Sequence, residues 1–190
     1  MTAPGGSLIA RIAALSVALV FIQIGVVSEV PIFGVNVDLT PLLVGFVGLM
    51  CGSTLGAVTG FAVGLLVDLA LVQTLGVSSL ILTLIGYWSG RLRELRDPQA
   101  ALTPLLVGAC ASAISLLGYS LVEFLLGVDA PVSLDLLRQI VLGILVNSIA
   151  ALPVWALVRR VLDSALPDDP RRRRRRRAYT TGGLSPLSRS

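Results

Sequence analysis

Histidine is absent from this chain, lysine is absent too, and only two cysteines occur. Without histidine there is no metalloprotease motif, no Ser-His-Asp triad and no imidazole proton relay, so most intramembrane chemistries lose their usual general base. Cys51 and Cys110 stand far apart, in neither a C-x-x-C nor a metal-ligand spacing, and read as small apolar fillers. Charge is scarce as well: 14% of residues are charged, against roughly a quarter in a soluble domain. Nothing resembles a P-loop, a nucleophile elbow or a paired-carboxylate site. These absences predict a protein that is not an enzyme, with no catalytic residue, no metal and no cofactor.

What the chain does have is apolar length. Hydrophobic residues make up 55% of it, the mean hydropathy is +0.89, and the uncharged stretches are about as long as a bilayer crossing. The fold class that follows is an all-α integral membrane protein with about six transmembrane helices. The spans fall at about 8 to 28, 32 to 51, 54 to 73, 75 to 90, 100 to 127 and 136 to 162, giving a membrane domain over 1–163. The first apolar run, from Ile12 to Val27, exceeds a secretory signal core and lacks a good cleavage pattern, so it is expected to be retained.

Arginines set the expected orientation, because cytoplasmic loops retain them. Arg91, Arg93 and Arg96 share one loop, and Arg159 and Arg160 close the last span. Both places belong inside, and an even number of spans then puts Arg11 inside too: N-in, C-in. Trp88 and Trp155 precede these arginines and read as an inner aromatic belt. Residues 164–190 form a tail with almost no apolar periodicity, expected to be disordered. It carries Arg171, Arg172, Arg173, Arg174, Arg175, Arg176 and Arg177 in succession. Such a run enforces topology or lies against anionic lipid. Nucleic acid is a poorer partner for it, since aromatics do not interleave the run and no folded platform presents it.

The second span is the weak one. Thr40 reads as an N-cap and Pro41 as the first helical residue, which leaves only about 16 Å of helix before Gly52, against a core of about 30 Å. Either residues 29–40 are partly irregular, or the second and third segments form one long tilted helix and the protein has five spans.

The third segment raises the sharpest question. Gly52, Gly56, Gly60 and Gly64 recur every four residues, ahead of Asp68. A four-residue repeat advances about 400° round a helix, so the glycines trace one slanting groove. In lipid, association depends on close packing, and small-xxx-small patterns mark where it occurs. The groove receives either a helix of the same bundle or a partner's transmembrane helix. Asp68 lies about 24 Å beyond Gly52 by helical rise, and a carboxylate at that depth needs a partner or water. Arg138 is the nearest basic candidate and Glu123 lies at similar depth, so Asp68, Glu123 and Arg138 form an expected intramembrane polar cluster. Gln139, Asn147, Ser112, Ser115 and Ser120 are expected to bond between helices, and Pro153 to kink the last one.

The stretch VDLTPLLVGFVGLMCGSTLGAVTGFAVGLLVDLALVQTLGVSSLILTLIGYWSGRLRE resembles the MreD family of rod shape-determining membrane proteins. The features that carry the resemblance are the acidic residue before the second segment, the glycine series running to Leu-x-x-Asp, Leu75-Gly76, and Gly86-Tyr87 followed by Gly90-Arg91. The resemblance implies a non-enzymatic subunit of the cell-wall elongation machinery in the bacterial inner membrane. Its implied partners are MreC, bound through MreC's transmembrane helix, and indirectly MreB and the peptidoglycan synthases. It also implies a six-helix fold similar to the S components of energy-coupling-factor transporters. The alternative is therefore an S component-like subunit that binds a vitamin-sized ligand, with the alanines of the first span, Ala10, Ala13, Ala14 and Ala18, docking a coupling subunit. An intramembrane enzyme built on Asp68 and Glu123 is a poor third reading, for want of a nucleophile at matching depth.

Overall fold

The computed structural model describes residues 5–27, 36–72, 74–95, 102–127 and 134–164. They form six helices: α1 (Gly6–Ile22), α2 (Thr40–Cys51), α3 (Ser53–Ala70), α4 (Val77–Leu95), α5 (Thr103–Leu125) and α6 (Leu134–Leu162). No strand occurs among the described residues. Windows in four of the helices, Gly6–Gly25, Ser53–Ala70, Thr103–Val122 and Arg138–Leu162, are long and apolar enough to cross a membrane. Large apolar side chains face outward, as they do against lipid: Phe21, Leu80 and Ile149 are 73%, 70% and 72% exposed.

Of the two helices outside this set, α2 is the one packed most deeply. α2 has 12 residues, about 18 Å of helix, and α4 carries Arg91 and Arg93 near its end. α2 is apolar all round, which is the pattern of a core helix rather than a lipid-facing one. Every residue from Thr40 to Met50 is buried, and α2 touches all five other helices. A short helix suffices at the centre because its neighbours supply the surroundings that lipid would otherwise have to provide.

Gly52 separates α2 from α3. Its φ of 100° lies in the left-handed region that favours glycine. Its N–H donates to the Gly48 carbonyl at 2.8 Å and its own carbonyl accepts from Gly56 N–H at 2.9 Å, so one residue ends α2 and begins α3. The five-span alternative, with these segments merged into one helix, is thereby corrected. The expected cap of α2 is corrected too. Thr40 is already helical, and it is Asp38 that accepts the Thr40 N–H, at 3.0 Å on Oδ1.

From Gly52 the chain doubles back, and α3 then packs antiparallel to α4 at backbone contact. A Cβ on Gly56 would lie 2.4 Å from the Gly86 carbonyl oxygen, one on Gly60 2.2 Å from that of Leu82, and one on Gly64 2.4 Å from the Ser79 Cα. At the other end of the pair, a Cβ on Gly90 would meet the Ser53 Cα at 2.3 Å. α2 joins the seam through Gly48, whose Cβ would stand 2.4 Å from the Gly86 oxygen. The groove that the glycine spacing predicts is therefore filled by a helix of the same chain. Gly52 is not one of its rungs: a Cβ there meets nothing within 4 Å, and its role is the turn.

The ends of the bundle follow from further contacts. Arg11 Nη1, near the start of α1, donates to the Val161 carbonyl at 3.2 Å and to Ser164 Oγ, at the end of α6. α5 runs against α4, with Ile81 beside Gly118 and both Ser89 and Val107 beside Gly45. The starts of α1, α3 and α5 thus share one end with the finishes of α2, α4 and α6. That end carries Arg11, Arg91, Arg93, Arg159 and Arg160, while Asp38 and Asp68 lie toward the other. Trp88 is exposed, with Tyr87 edge-on to it at 6.2 Å between centroids. Trp155 is half-buried and packs edge-on against Phe46 of α2 at 5.3 Å, so it is as much a packing residue as a surface one. Pro153 lies within α6, which continues on both sides of it.

Gly60→Ala is expected to cost about 1–3 kcal/mol, as overpacking does, and to lower the melting temperature in detergent. Gly6→Ala, where a Cβ meets nothing within 4 Å, serves as the control and is expected to melt unchanged. Equal melting of the two variants would contradict backbone contact at the seam.

Candidate functional site

The end of the bundle opposite the arginines holds five of the ten described buried polar residues, Thr40, Asp68, Ser78, Ser79 and Asn147, and two knots of hydrogen bonds. Asp68, 1% exposed, lies at the end of α3 beside the start of α4. Its Oδ2 accepts from the Gly76 N–H at 2.7 Å and its Oδ1 from the Ser78 N–H at 3.3 Å. The first N–H groups of a helix have no partner within the helix, and the helix dipole favours negative charge there. A carboxylate supplied from α3 therefore satisfies α4, and α4 compensates the buried charge. Tyr119 of α5 donates its hydroxyl to Ser78 Oγ at 2.8 Å, and Ser79 Oγ donates to the Phe61 carbonyl at 3.3 Å. One knot thus joins α3, α4 and α5.

The second knot holds the chain that leads into α2. Residues 36–39 are not helical, and irregular backbone at membrane depth persists only where protein satisfies it. Gln23 meets this requirement from α1: its Nε2 donates to the Val37 carbonyl at 2.8 Å and its Oε1 accepts from the Leu39 N–H at 3.0 Å. Asn147 of α6 adds a third bond, its Oδ1 accepting from the Asp38 N–H at 3.0 Å. Gln23 opens a widened π turn, Gln23–Val27, that ends α1. The hydroxyls of Ser16 and Ser112 are buried without a hydrogen-bond partner among the described residues, so Ser112 does not make the bond between helices expected of it.

Of the three residues expected to cluster, Asp68 and Arg138 are not joined. Arg138 is exposed on α6, and no hydrogen bond or ion pair joins it to Asp68. The physical reason is that two backbone N–H groups already satisfy the Asp68 carboxylate, so no cation is required. The side chain of Glu123 lies outside the described residues. Asn147 does bond between elements, whereas Gln139 is exposed. Arg91, Arg93, Arg159 and Arg160 are exposed at the basic end, and Arg159 pairs with Asp163 at 3.3 Å. Arg96 and Arg171 to Arg177 lie outside the described residues. Cys51 and Cys110 are free thiols.

Gln23, Tyr119 and Ser78 were not legible as site residues. Gln23 and Tyr119 meet groups distant in sequence, and Ser78 offers a backbone N–H that no residue type signals. Gly48, Gly86 and Gly90 did leave a trace, since Gly86-x-x-x-Gly90 repeats the small-residue spacing of α3. Chemically, the site is a joint that fixes helix ends. Among the described residues no group of three or more His, Cys, Asp or Glu side chains could hold a metal ion.

Asp68→Ala leaves the buried Ser78 N–H without its acceptor, at about 1–3 kcal/mol, and the part-buried Gly76 N–H without its own. It is expected to lower the melting temperature sharply, Asp68→Asn less, and Arg138→Ala not at all. An Arg138→Ala loss equal to that of Asp68→Ala would show that the two residues are coupled after all.

Comparison with known proteins adds one finding. The family model described as rod shape-determining protein MreD matches residues 8–163. No curated protein and no solved structure matches the chain.

Proposed function

Because the chain belongs to the MreD family of rod shape-determining proteins, we propose that it is a non-enzymatic, multi-pass subunit of the cell-wall elongation complex in the bacterial inner membrane. In this reading it binds MreC through MreC's transmembrane helix, and thereby scaffolds MreB and the peptidoglycan synthases. The observation that carries the reading is the extent of the family match, which takes in all six helices and both polar knots. The chemistry of the site is in keeping with it, since the carboxylate of Asp68 is engaged by backbone N–H groups.

The arginine-bearing end faces the cytoplasm in this account, by the positive-inside rule. The glycine faces of α3 are taken up by α4, so the surface left to a partner's helix is the lipid-facing one. The transporter-like alternative draws no comparable support, because Gln23, Asp68, Tyr119 and Asn147 bond to groups within the chain.

Co-expression with tagged MreC from the same host, followed by affinity purification in mild detergent, tests the proposal. The chain is expected to co-elute, and to be lost when MreC's transmembrane helix is exchanged for an unrelated one. Failure to co-elute while the chain remains monodisperse would overturn the MreC assignment.

A further inference from the structure

Pro153 plays no part in the reading above, yet it leaves an open hydrogen-bond acceptor in the middle of α6, a helix of 29 residues. We propose that the exposed face of α6 around Pro153 is where MreC's transmembrane helix docks, with a hydroxyl or amide of that helix donating to the Ile149 carbonyl. The inference rests on the MreC reading and adds to it the surface and the chemistry of the contact.

Each carbonyl of an α-helix accepts from the N–H four residues on, and proline has no N–H to give. The Ile149 carbonyl therefore loses its helical partner, while α6 continues past the gap. Ser148, the neighbouring hydroxyl, is already committed, donating to the Ile144 carbonyl at 2.6 Å. A helical carbonyl points along the axis toward the residues three and four positions ahead, here Leu152 and Pro153. Both are exposed, and Ile149 itself is 72% exposed. The acceptor thus opens outward, since Ala151, Val154 and Val158 carry the buried face of the helix.

Depth selects the donor. Ile149 lies eleven residues beyond Arg138 and ten before Arg159, about 15 Å of helix from either. Hydrocarbon surrounds that level, with neither water nor headgroup to donate. A lipid chain covers apolar side chains but leaves the carbonyl unpaired. A second copy of this chain does no better. Two copies related by a two-fold axis normal to the membrane set the same level of α6 against itself. The exposed residues there are Leu145, Ile149, Leu152, Pro153 and Ala156, and none of their side chains is a donor. A helix of another protein meets the requirement, and the small Pro153 and Ala156 let its backbone come near.

The test is co-purification of the full chain with tagged MreC in mild detergent. Pro153→Ala supplies the missing N–H and closes the acceptor. It is expected to lower the MreC retained by about threefold to tenfold, the range of hydrogen bonds between transmembrane helices, while the chain alone melts no lower than wild type. Ile149→Trp should also lose MreC, whereas Leu80→Trp, on the exposed face of α4, should retain it. Retention by Pro153→Ala at the wild-type level overturns this inference alone, and so does an equal loss with Leu80→Trp. Loss of MreC together with lower melting of the Pro153→Ala chain makes Pro153 a structural residue and overturns it as well. A wild-type chain that retains no MreC overturns the MreC reading along with it. Ile149→Cys, in a Cys51→Ala, Cys110→Ala background, is expected to form a disulfide with a cysteine placed on MreC's helix. A disulfide between two copies of the chain instead would seat a second copy on this face and overturn the proposal.

Discussion

Between Gly56 and Gly64 the backbone of α3 lies directly against that of α4, with no side chain between them. In a bilayer, apolar surface gains little by leaving lipid, so helices hold together through the number and closeness of their contacts. The glycines lower helix propensity by roughly 1 kcal/mol each on a scale measured in water. In return they admit the closest contact that two helices can make. The approach also sets the position of α2, because Gly48 rests on the same Gly86 carbonyl that Gly56 does. Three helices thus meet at one turn of α4, and the fully buried α2 is held at the centre.

The two polar knots follow from this arrangement. With α3 and α4 antiparallel and in contact, the end of α3 must stand beside the start of α4, and Asp68 is there to receive the Gly76 and Ser78 N–H groups. With α2 short and central, the chain entering it descends into the membrane as irregular backbone. Gln23 and Asn147 replace the water that this backbone lacks. Both knots thus serve helix ends. That suits the scaffolding role proposed above, in which the lipid-facing surface is the one left to a partner.

Six apolar segments could be read from hydropathy, although α2 begins at Thr40 rather than near 32 and α4 runs on to Leu95 rather than ending near 90, and the glycine spacing marked one face of α3 as close-packed. The identity of the helix on that face could not be read. A side chain records its partner through size or charge, whereas a glycine that meets a carbonyl oxygen records only that something is near. The same limit explains Asp68. Its position in an apolar run suggested a cation, but its partners are N–H groups that every residue carries, so nothing in the identity of Gly76 or Ser78 announced them. Gly52 shared the four-residue period and so resembled a rung, yet its φ of 100° makes it the turn. Thr40 looked like a cap because the helix was taken to begin one residue later than it does, and the acceptor is Asp38. The arginines were legible as a group because charge acts over distances that do not require a fold.

The central claim is that α4 of the same chain occupies the glycine face of α3, leaving partners to bind elsewhere. The most direct measurement is an experimental structure of the chain bound to MreC in a lipid nanodisc. The account predicts the Gly60 Cα against the Leu82 carbonyl, with MreC's helix on the outer surface of the bundle. MreC's helix lodged against Gly56, Gly60 and Gly64, with α4 displaced, would contradict it.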